Sequence, residues 1–355
     1  MAGLTELTLR YLETGRLNTD VVQGAVLPKV AVPAQDHLLP ESLRDAFSAV
    51  IRVAPDTPIA GAQELLDTWP SRTARENGLL IAALPAFDRT TSFEIERIER
   101  PVASYRVRIG TIADSESWVA ERLEILDAAG SHIALLPELA LTPALLAEWR
   151  KVCRVTELLP GNRLRWIVLG SGPETDNRGV RPRNRAVVID RATGEVLWQQ
   201  DKQYRFQLEQ SHIDRWGLGE LGQGPLEEWI TVGASVTIAE APGLRATVIV
   251  CEDLTELDTV GATIKAWGTS HAFCPIFSQA IRRYRWENQH GAWLLGHAGV
   301  QLVVCNSKWV GDAEPDFAEP CGDVLAISGD VRLERADGPL GTIVIRFTEH
   351  GVFIQ

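Results

Sequence analysis

From about residue 104 onward the sequence predicts an α/β layered sandwich, and three observations point there. Short continuous apolar runs at 133–136, 166–169 and 247–250 read as strands buried on both faces. Stretches with apolar residues at helical spacing separate these runs, the alternation expected of strands crossing to strands through helices. Hydrophobic residues make up 45% of the 355 residues and charged residues 23%, a balance that excludes wholesale disorder and supplies a sizeable core.

Taken in order, Val107, Ile109 and Ile112 mark a first strand. Residues 116–129 carry Val119, Leu123 and Leu126 on one helical face. A short buried strand follows at 133–136. Leu145, Leu146, Trp149, Val152 and Cys153 form the apolar face of a second helix, and 166–169 is again a strand. Residues 187–189 and 196–198 read as a hairpin turning at Ala192-Thr193-Gly194. Then come a strand at 247–250, a helical stretch at 281–297 and a strand at 300–304. Residues 324–327 and 342–345 close the chain as a further pair of strands.

The first hundred residues differ in texture. Prolines at 28, 33, 40, 55, 58 and 70 interrupt them. Leu43, Ala46, Phe47, Val50 and Ile51 recur at helical spacing, and a second short helix fits 63–69. The expectation is two units: residues 1–103, a mainly helical extension offering a docking surface for a protein partner, and residues 104–355, the layered domain.

Charge narrows the partners. The net charge of −12 repels phosphate backbones, which argues against nucleic acid. Five scattered cysteines fit a reducing compartment better than a disulfide framework. The start, Met1 to Glu6, lacks a basic segment leading into an apolar run, and no stretch reaches the ~18 apolar residues of a membrane span. A cytoplasmic protein without membrane contact is expected. No paired histidine or cysteine spacing suggests a metal, and no cofactor is expected. Gly217, Gly219 and Gly222 spell G-x-G-x-x-G, but no strand leads into them and Pro225 follows, so they read as a loop near a pocket mouth. Arg282, Arg283 and Arg285 beside Tyr284 and Trp286 read as a solvated helix face.

Reactive side chains in α/β sheets gather past the carboxyl ends of strands. Glu138 follows the run ending in Leu136-Pro137, Lys202 follows the hairpin, and Cys251 follows 247–250. Alone, each is ordinary: a helix-start carboxylate, a solvated charge and a small buried hydrophobe. Together they supply a nucleophile, a cation for an oxyanion and a proton carrier.

In their order and context these residues resemble the nitrilase, or carbon–nitrogen hydrolase, superfamily. The matching motifs are Leu135-Leu136-Pro137-Glu138-Leu139, Asp201-Lys202 and Val250-Cys251-Glu252-Asp253-Leu254. Ala128-Ala129, Cys305-Asn306-Ser307 and Pro320-Cys321-Gly322-Asp323-Val324-Leu325 agree as flanks. The resemblance covers roughly residues 104–350. It implies a four-layer αββα sandwich, a Glu138–Lys202–Cys251 triad and hydrolysis of a small amide through a thioester. In that chemistry Glu138 takes the thiol proton, and Lys202 lowers the thiol pKa and holds the oxyanion. The backbone N–H of Glu252 is the second oxyanion donor. The superfamily also carries a second glutamate that orients the lysine. Glu209 and Glu220 are the candidates, Glu209 preferred for its place seven residues after Lys202. A homo-oligomer is implied as well.

Departures bear on the substrate. Gln200-Asp201 stands where the superfamily often has Tyr-Arg, and Leu254-Thr255 where many amidases have Arg. The Cys-Glu-Asp form resembles the glutaminase domain of NAD synthetases, without their synthetase domain. Three other readings therefore stand beside the hydrolase: an ammonia-supplying glutaminase subunit, a non-catalytic regulatory module of a larger assembly, and transfer of the acyl group to an amine.

Overall fold

The structure is a computed structural model. It describes residues 26–28, 50–52, 60–66, 78–85, 93–99, 102–158, 160–175, 177, 179–241, 244–278, 281, 290–307, 322–328, 330–336, 341–348 and 351–354. The predicted helix around Leu43 to Ile51 lies mostly outside them, as do Arg282, Arg283, Arg285 and the 320–321 end of the last motif.

Two seven-stranded sheets face each other. The first runs in the order β10 (Val196–Asp201), β9 (Asn184–Asp190), β8 (Trp166–Pro173), β7 (Ile133–Leu135), β4 (Leu79–Ala83), β19 (Ile343–Thr348) and β20 (Gly351–Ile354). The second runs β18 (Asp330–Ala336), β17 (Gly322–Ser328), β16 (Gln301–Asn306), β15 (His271–Ile276), β14 (Leu244–Val248), β13 (Ser235–Ala241) and β3 (Ala60–Leu65). Strict alternation along the first sheet builds two cores at once. Ile81, Ile133, Leu135, Trp166, Val168 and Val188 point between the sheets. Their neighbours Ala82, Ala134, Leu136, Ile167, Leu169 and Val187 point outward under the helices.

Helix α1 (Ser115–Ala128) and helix α2 (Pro143–Val155) cover that outer face. Asp114 caps α1 by accepting the Ser117 N–H at 3.0 Å, and Val119, Leu123 and Leu126 turn inward. Thr142 caps α2 by accepting the Leu145 N–H at 3.2 Å, with Pro143 opening the helix. Helix α4 (Ala262–Ala266) and the helical turn Leu294–Ala298 bury Ile264, Leu294 and Ala298 against the second sheet. The layers are thus α, β, β, α, the architecture the resemblance implies.

A third, four-stranded sheet has the order β11 (Gln207–Leu208), β12 (Leu226–Glu228), β6 (Ser104–Ile109) and β5 (Phe93–Ile98). With helix α3 (Gln210–Arg215) it forms a small separate core of Tyr105, Leu208, Ile213, Leu218, Leu221 and Leu226.

Three expectations change. Among the described residues before 104 there are strands and no helix, the first two, β1 (Val26–Pro28) and β2 (Val50–Arg52), forming an antiparallel pair. Residues 60–65, read in part as helical, pair in parallel with β13, from Ala60 beside Ser235 to Leu65 beside Glu240. Strand β4 sits inside the first sheet between β7 and β19. These pieces are built into the sandwich, not docked on it; the nonlocal ladder overrides the local helical spacing. Finally, the strands containing 324–327 and 342–345 do not pair with each other but lie in opposite sheets.

Candidate active site

Glu138 stands in the turn that follows β7. That turn is pressed against a bulge in β8 between Val168 and Ser171. Gly170 has φ +69°, and a Cβ there would lie 1.8 Å from the Pro137 carbonyl oxygen, so only glycine admits the approach. Glu138 is thereby fixed by backbone packing on its sheet side.

Lys202 emerges where β10 ends. The β9–β10 register, Asp201 beside Arg185, carries on so that the Lys202 N–H donates to the Asn184 carbonyl at 2.9 Å. Cys251 follows β14 and opens a short 3-10 turn, Cys251–Thr255. Among the described residues its φ of 49° is one of two positive values at non-glycine residues, the other being Leu139, next to Glu138. Strained backbone at both positions is what a site held by its surroundings shows. Asp253 accepts the N–H groups of Gln203 at 2.9 Å and Tyr204 at 2.8 Å, tying the cysteine turn to the chain just past Lys202.

The three predicted residues meet. The Lys202 ammonium donates to Glu138 Oε1 at 3.0 Å, and Cys251 lines the same cavity as both. The Phe277 N–H donates to Glu138 Oε2 at 3.0 Å, and Phe277 lines that cavity too. Asn306, ending β16, holds that loop by accepting the Ser278 N–H at 3.1 Å and donating to the Ser278 carbonyl at 3.0 Å.

The second carboxylate on Lys202 is Glu228, on β12; neither sequence candidate, Glu209 or Glu220, is hydrogen-bonded to Lys202. Lys202 donates to Glu228 Oε2 at 2.8 Å, and the Phe206 N–H donates to the same oxygen at 3.0 Å. Glu209 is exposed and opens helix α3, where its N–H donates to His212 Nδ1 at 3.1 Å; Glu220 is exposed on the turn at 219–221. Leu226, Glu228 and Ile230 alternate and are all buried, so Glu228 shares the inward face of its strand. Asn184 was also missed. Its Nδ2 donates to Glu138 Oε1 at 2.9 Å and to Glu228 Oε1 at 3.3 Å. Glu252 is half-buried beside the nucleophile, and its side chain accepts the Thr255 hydroxyl at 3.3 Å.

Electrostatics follow from one cation between two carboxylates in a dry place. Burial pulls the Lys202 ammonium down, but Glu138 and Glu228 more than offset it, and Lys202 sits well above its ordinary value. Burial pushes Glu138 above the ordinary carboxylate value, Glu228 adds to that, and Lys202 opposes it. The Cys251 thiol is pushed well up by burial and by Glu138, while Lys202 lowers it without winning. The expected lowering of the thiol by Lys202 is therefore outweighed. The direction of the shift favours the protonated thiol.

The cavity over Cys251 has ≈ 40 Å³ of free space and is walled by Ile95, Tyr105, Val107, Leu139, Phe206 and Trp216, among others. Leu218, from the glycine-rich loop, also reaches it. A larger open groove of ≈ 430 Å³ lies elsewhere, beside Arg183, Arg185 and Asp201. No cysteine is among the described residues lining it, and its arginines are already paired with Asp201 and Glu174. Among the described residues no cluster of three His, Cys, Asp or Glu could hold a metal, and no helix is long and apolar enough to cross a membrane.

No family model matches the sequence, and no curated protein is similar to it. Solved structures are similar. The chain superposes on an amidase from Nesterenkonia sp. with a TM-score of 0.51 at 15% identity, covering 78% of this chain and 92% of that one. A glutamate-to-glutamine variant of the Nesterenkonia sp. AN1 amidase gives a TM-score of 0.51 at 15% identity over 78% and 92%. It shows covalent addition of the acetamide moiety of fluoroacetamide at the active site cysteine. A cysteine-to-serine variant, described as from the nitrilase superfamily, gives 0.50 at 14% identity over 77% and 92%. The chain therefore has the fold of the nitrilase-superfamily amidases.

Proposed function

We propose that this protein is a cysteine-dependent hydrolase of the C–N bond in a small amide, working through a thioester. One observation carries the reading: a buried ammonium is shared by two carboxylates and lines one cavity with a cysteine at a strained strand end.

Glu138 accepts the Cys251 proton as sulfur bonds to the amide carbon. Two of the three Lys202 N–H groups serve Glu138 and Glu228, which leaves one for the oxyanion. The Glu252 backbone N–H is the second donor. Protonated Glu138 then gives its proton to the nitrogen, the C–N bond breaks, and the amine leaves behind a thioester. Glu138 next takes a proton from water, whose oxygen attacks the thioester carbon. Collapse releases the carboxylic acid, and the returning proton restores the thiol. Glu228 holds Lys202 in place throughout.

The wall chemistry favours an uncharged acyl group. Apart from Glu138, Lys202, Glu228 and Cys251, the lining residues carry no charge, so among the described residues nothing there would pair with the ammonium and carboxylate of glutamine. This favours the amidase over the ammonia-supplying glutaminase. The proposal extends to a cytoplasmic setting and a homo-oligomer, the latter checked by light scattering of the purified chain.

Ammonia release from acetamide through hexanamide, and from glutamine, tests the reading. The native chain should release ammonia from short amides and spare glutamine, while Cys251→Ala and Glu138→Gln release none. Turnover of glutamine alone would replace this reading with the glutaminase.

A further inference from the structure

Asn184 opens β9 on the face it shares with Ala186 and Val188, and it is only 2% exposed. Its two amide hydrogens go to two different carboxylates, Glu138 at 2.9 Å and Glu228 at 3.3 Å. Its main-chain carbonyl accepts the Lys202 N–H at 2.9 Å. One residue thus touches all three charged members of the site. With Lys202 donating to the same two glutamates, the hydrogen bonds close a ring: Asn184, Glu138, Lys202, Glu228.

The orientation of the amide is chemically determined. Turned around, its oxygen would face two carboxylate oxygens with no proton between them. Oriented as it is, Oδ1 is buried with no hydrogen-bond partner among the described residues. Leaving a buried acceptor unpaired is unfavourable, so stability alone does not explain an asparagine here. What the arrangement gains is a pair of neutral donors at the point where two like charges approach. A second cation there would also favour the Glu138 carboxylate, but it would strip Glu138 of the basicity needed to take a thiol proton. A hydrocarbon would take that donor from Glu138 and make its carboxylate harder to keep.

We infer that Asn184 is a positioning residue for the proposed hydrolysis, keeping Glu138 ionised yet basic by donating one N–H to each glutamate. The inference rests on the triad acting as described above. It is a role for a residue that touches the catalytic groups and not the reacting amide, so its signature is a displaced titration and not merely a slower reaction.

The test is the pH dependence of Cys251 alkylation by iodoacetamide in the full chain, read by peptide mass at Cys251. The sulfur displaces iodide, and Glu138 takes the thiol proton. In the native chain the rate should rise with pH through a limb set by Glu138, and Glu138→Gln should remove that limb. Asn184→Leu deletes both donors; its limb should move up by about one pH unit, slowing the reaction near the limb by about tenfold. Asn184→Asp keeps the shape but adds a third carboxylate, and its limb should move further. If Asn184→Leu does not fold, the limb of Asn184→Asp decides. Folded variants that keep the native limb, whether or not they react more slowly at every pH, overturn the inference. A native profile with no Glu138-dependent limb overturns the triad reading itself, and the inference with it.

Discussion

A lysine with 2% of its side chain exposed is costly unless its charge is answered, and Lys202 answers it with two glutamates. That places Glu228 at the site on the same footing as Glu138. Glu228→Gln should lower kcat/KM for a turned-over amide by about 100-fold or more, whereas Glu209→Gln, at an exposed helix start, should leave it unchanged. Steady-state kinetics of the two variants separate the assignments. The sign of the pH dependence follows from Glu138. As the proposed base it must be ionised, and burial holds it above the ordinary carboxylate value. Activity is therefore lost as pH falls through that raised value, at a higher pH than an exposed glutamate would give. A kcat/KM profile flat down to pH 4 would contradict this. Glu138, Lys202 and Cys251 were legible in the sequence because each follows its own strand directly. Glu228 was not, because β12 reaches the site by pairing with β6, from Glu227 beside Ser104 to Glu228 beside Tyr105, across more than a hundred residues.

Between residue and molecule, two contacts decide whether the elements hold the site. At Gly170 an added methyl meets the Pro137 carbonyl, and the φ is positive besides. Gly170→Ala should push the turn carrying Glu138 away from β8, lowering both the melting temperature and the alkylation rate of Cys251. A variant with native kinetics would show that the turn is not held there. Arg191 is fully buried and donates to Asp127 at 2.9 and 2.6 Å, joining the end of α1 to the β9–β10 hairpin. It also reaches the Cys153 and Thr156 carbonyls at the end of α2. Asp127→Ala strands that cation and should cost about 3–5 kcal/mol in urea unfolding. Removing Glu116, whose partner Lys151 is half in solvent, should cost under about 1 kcal/mol. The helices α1 and α2 and the hairpin were readable because their spacing and turn are local. The helix read at 63–69 gives way to strand at 63–65 for the opposite reason, 67–69 lying outside the described residues. Strand β3 exists only because β13 is beside it, and a distant partner leaves no periodic mark.

At the scale of the molecule, the boundary at residue 104 does not separate two bodies. Strand β4 lies within the first sheet, β3 edges the second, and Ile95 of β5 lines the cavity. A chain beginning at 104 should therefore lose its folded circular dichroism spectrum; a truncated chain that folds and alkylates normally would refute the shared architecture. The layered fold itself was legible because buried strands leave apolar runs, but which sheet each strand joined was not. The strands at 324–327 and 342–345 look alike in sequence and lie in opposite sheets. The central claim is that this sandwich holds Cys251 for covalent catalysis, and intact mass spectrometry of the full chain quenched during reaction with a short amide tests it most directly. The account predicts an adduct of one acyl group, labile to hydroxylamine, mapped to Cys251 and absent from Cys251→Ala. Amide turnover with no adduct, and with Cys251→Ala as active as the native chain, would contradict it.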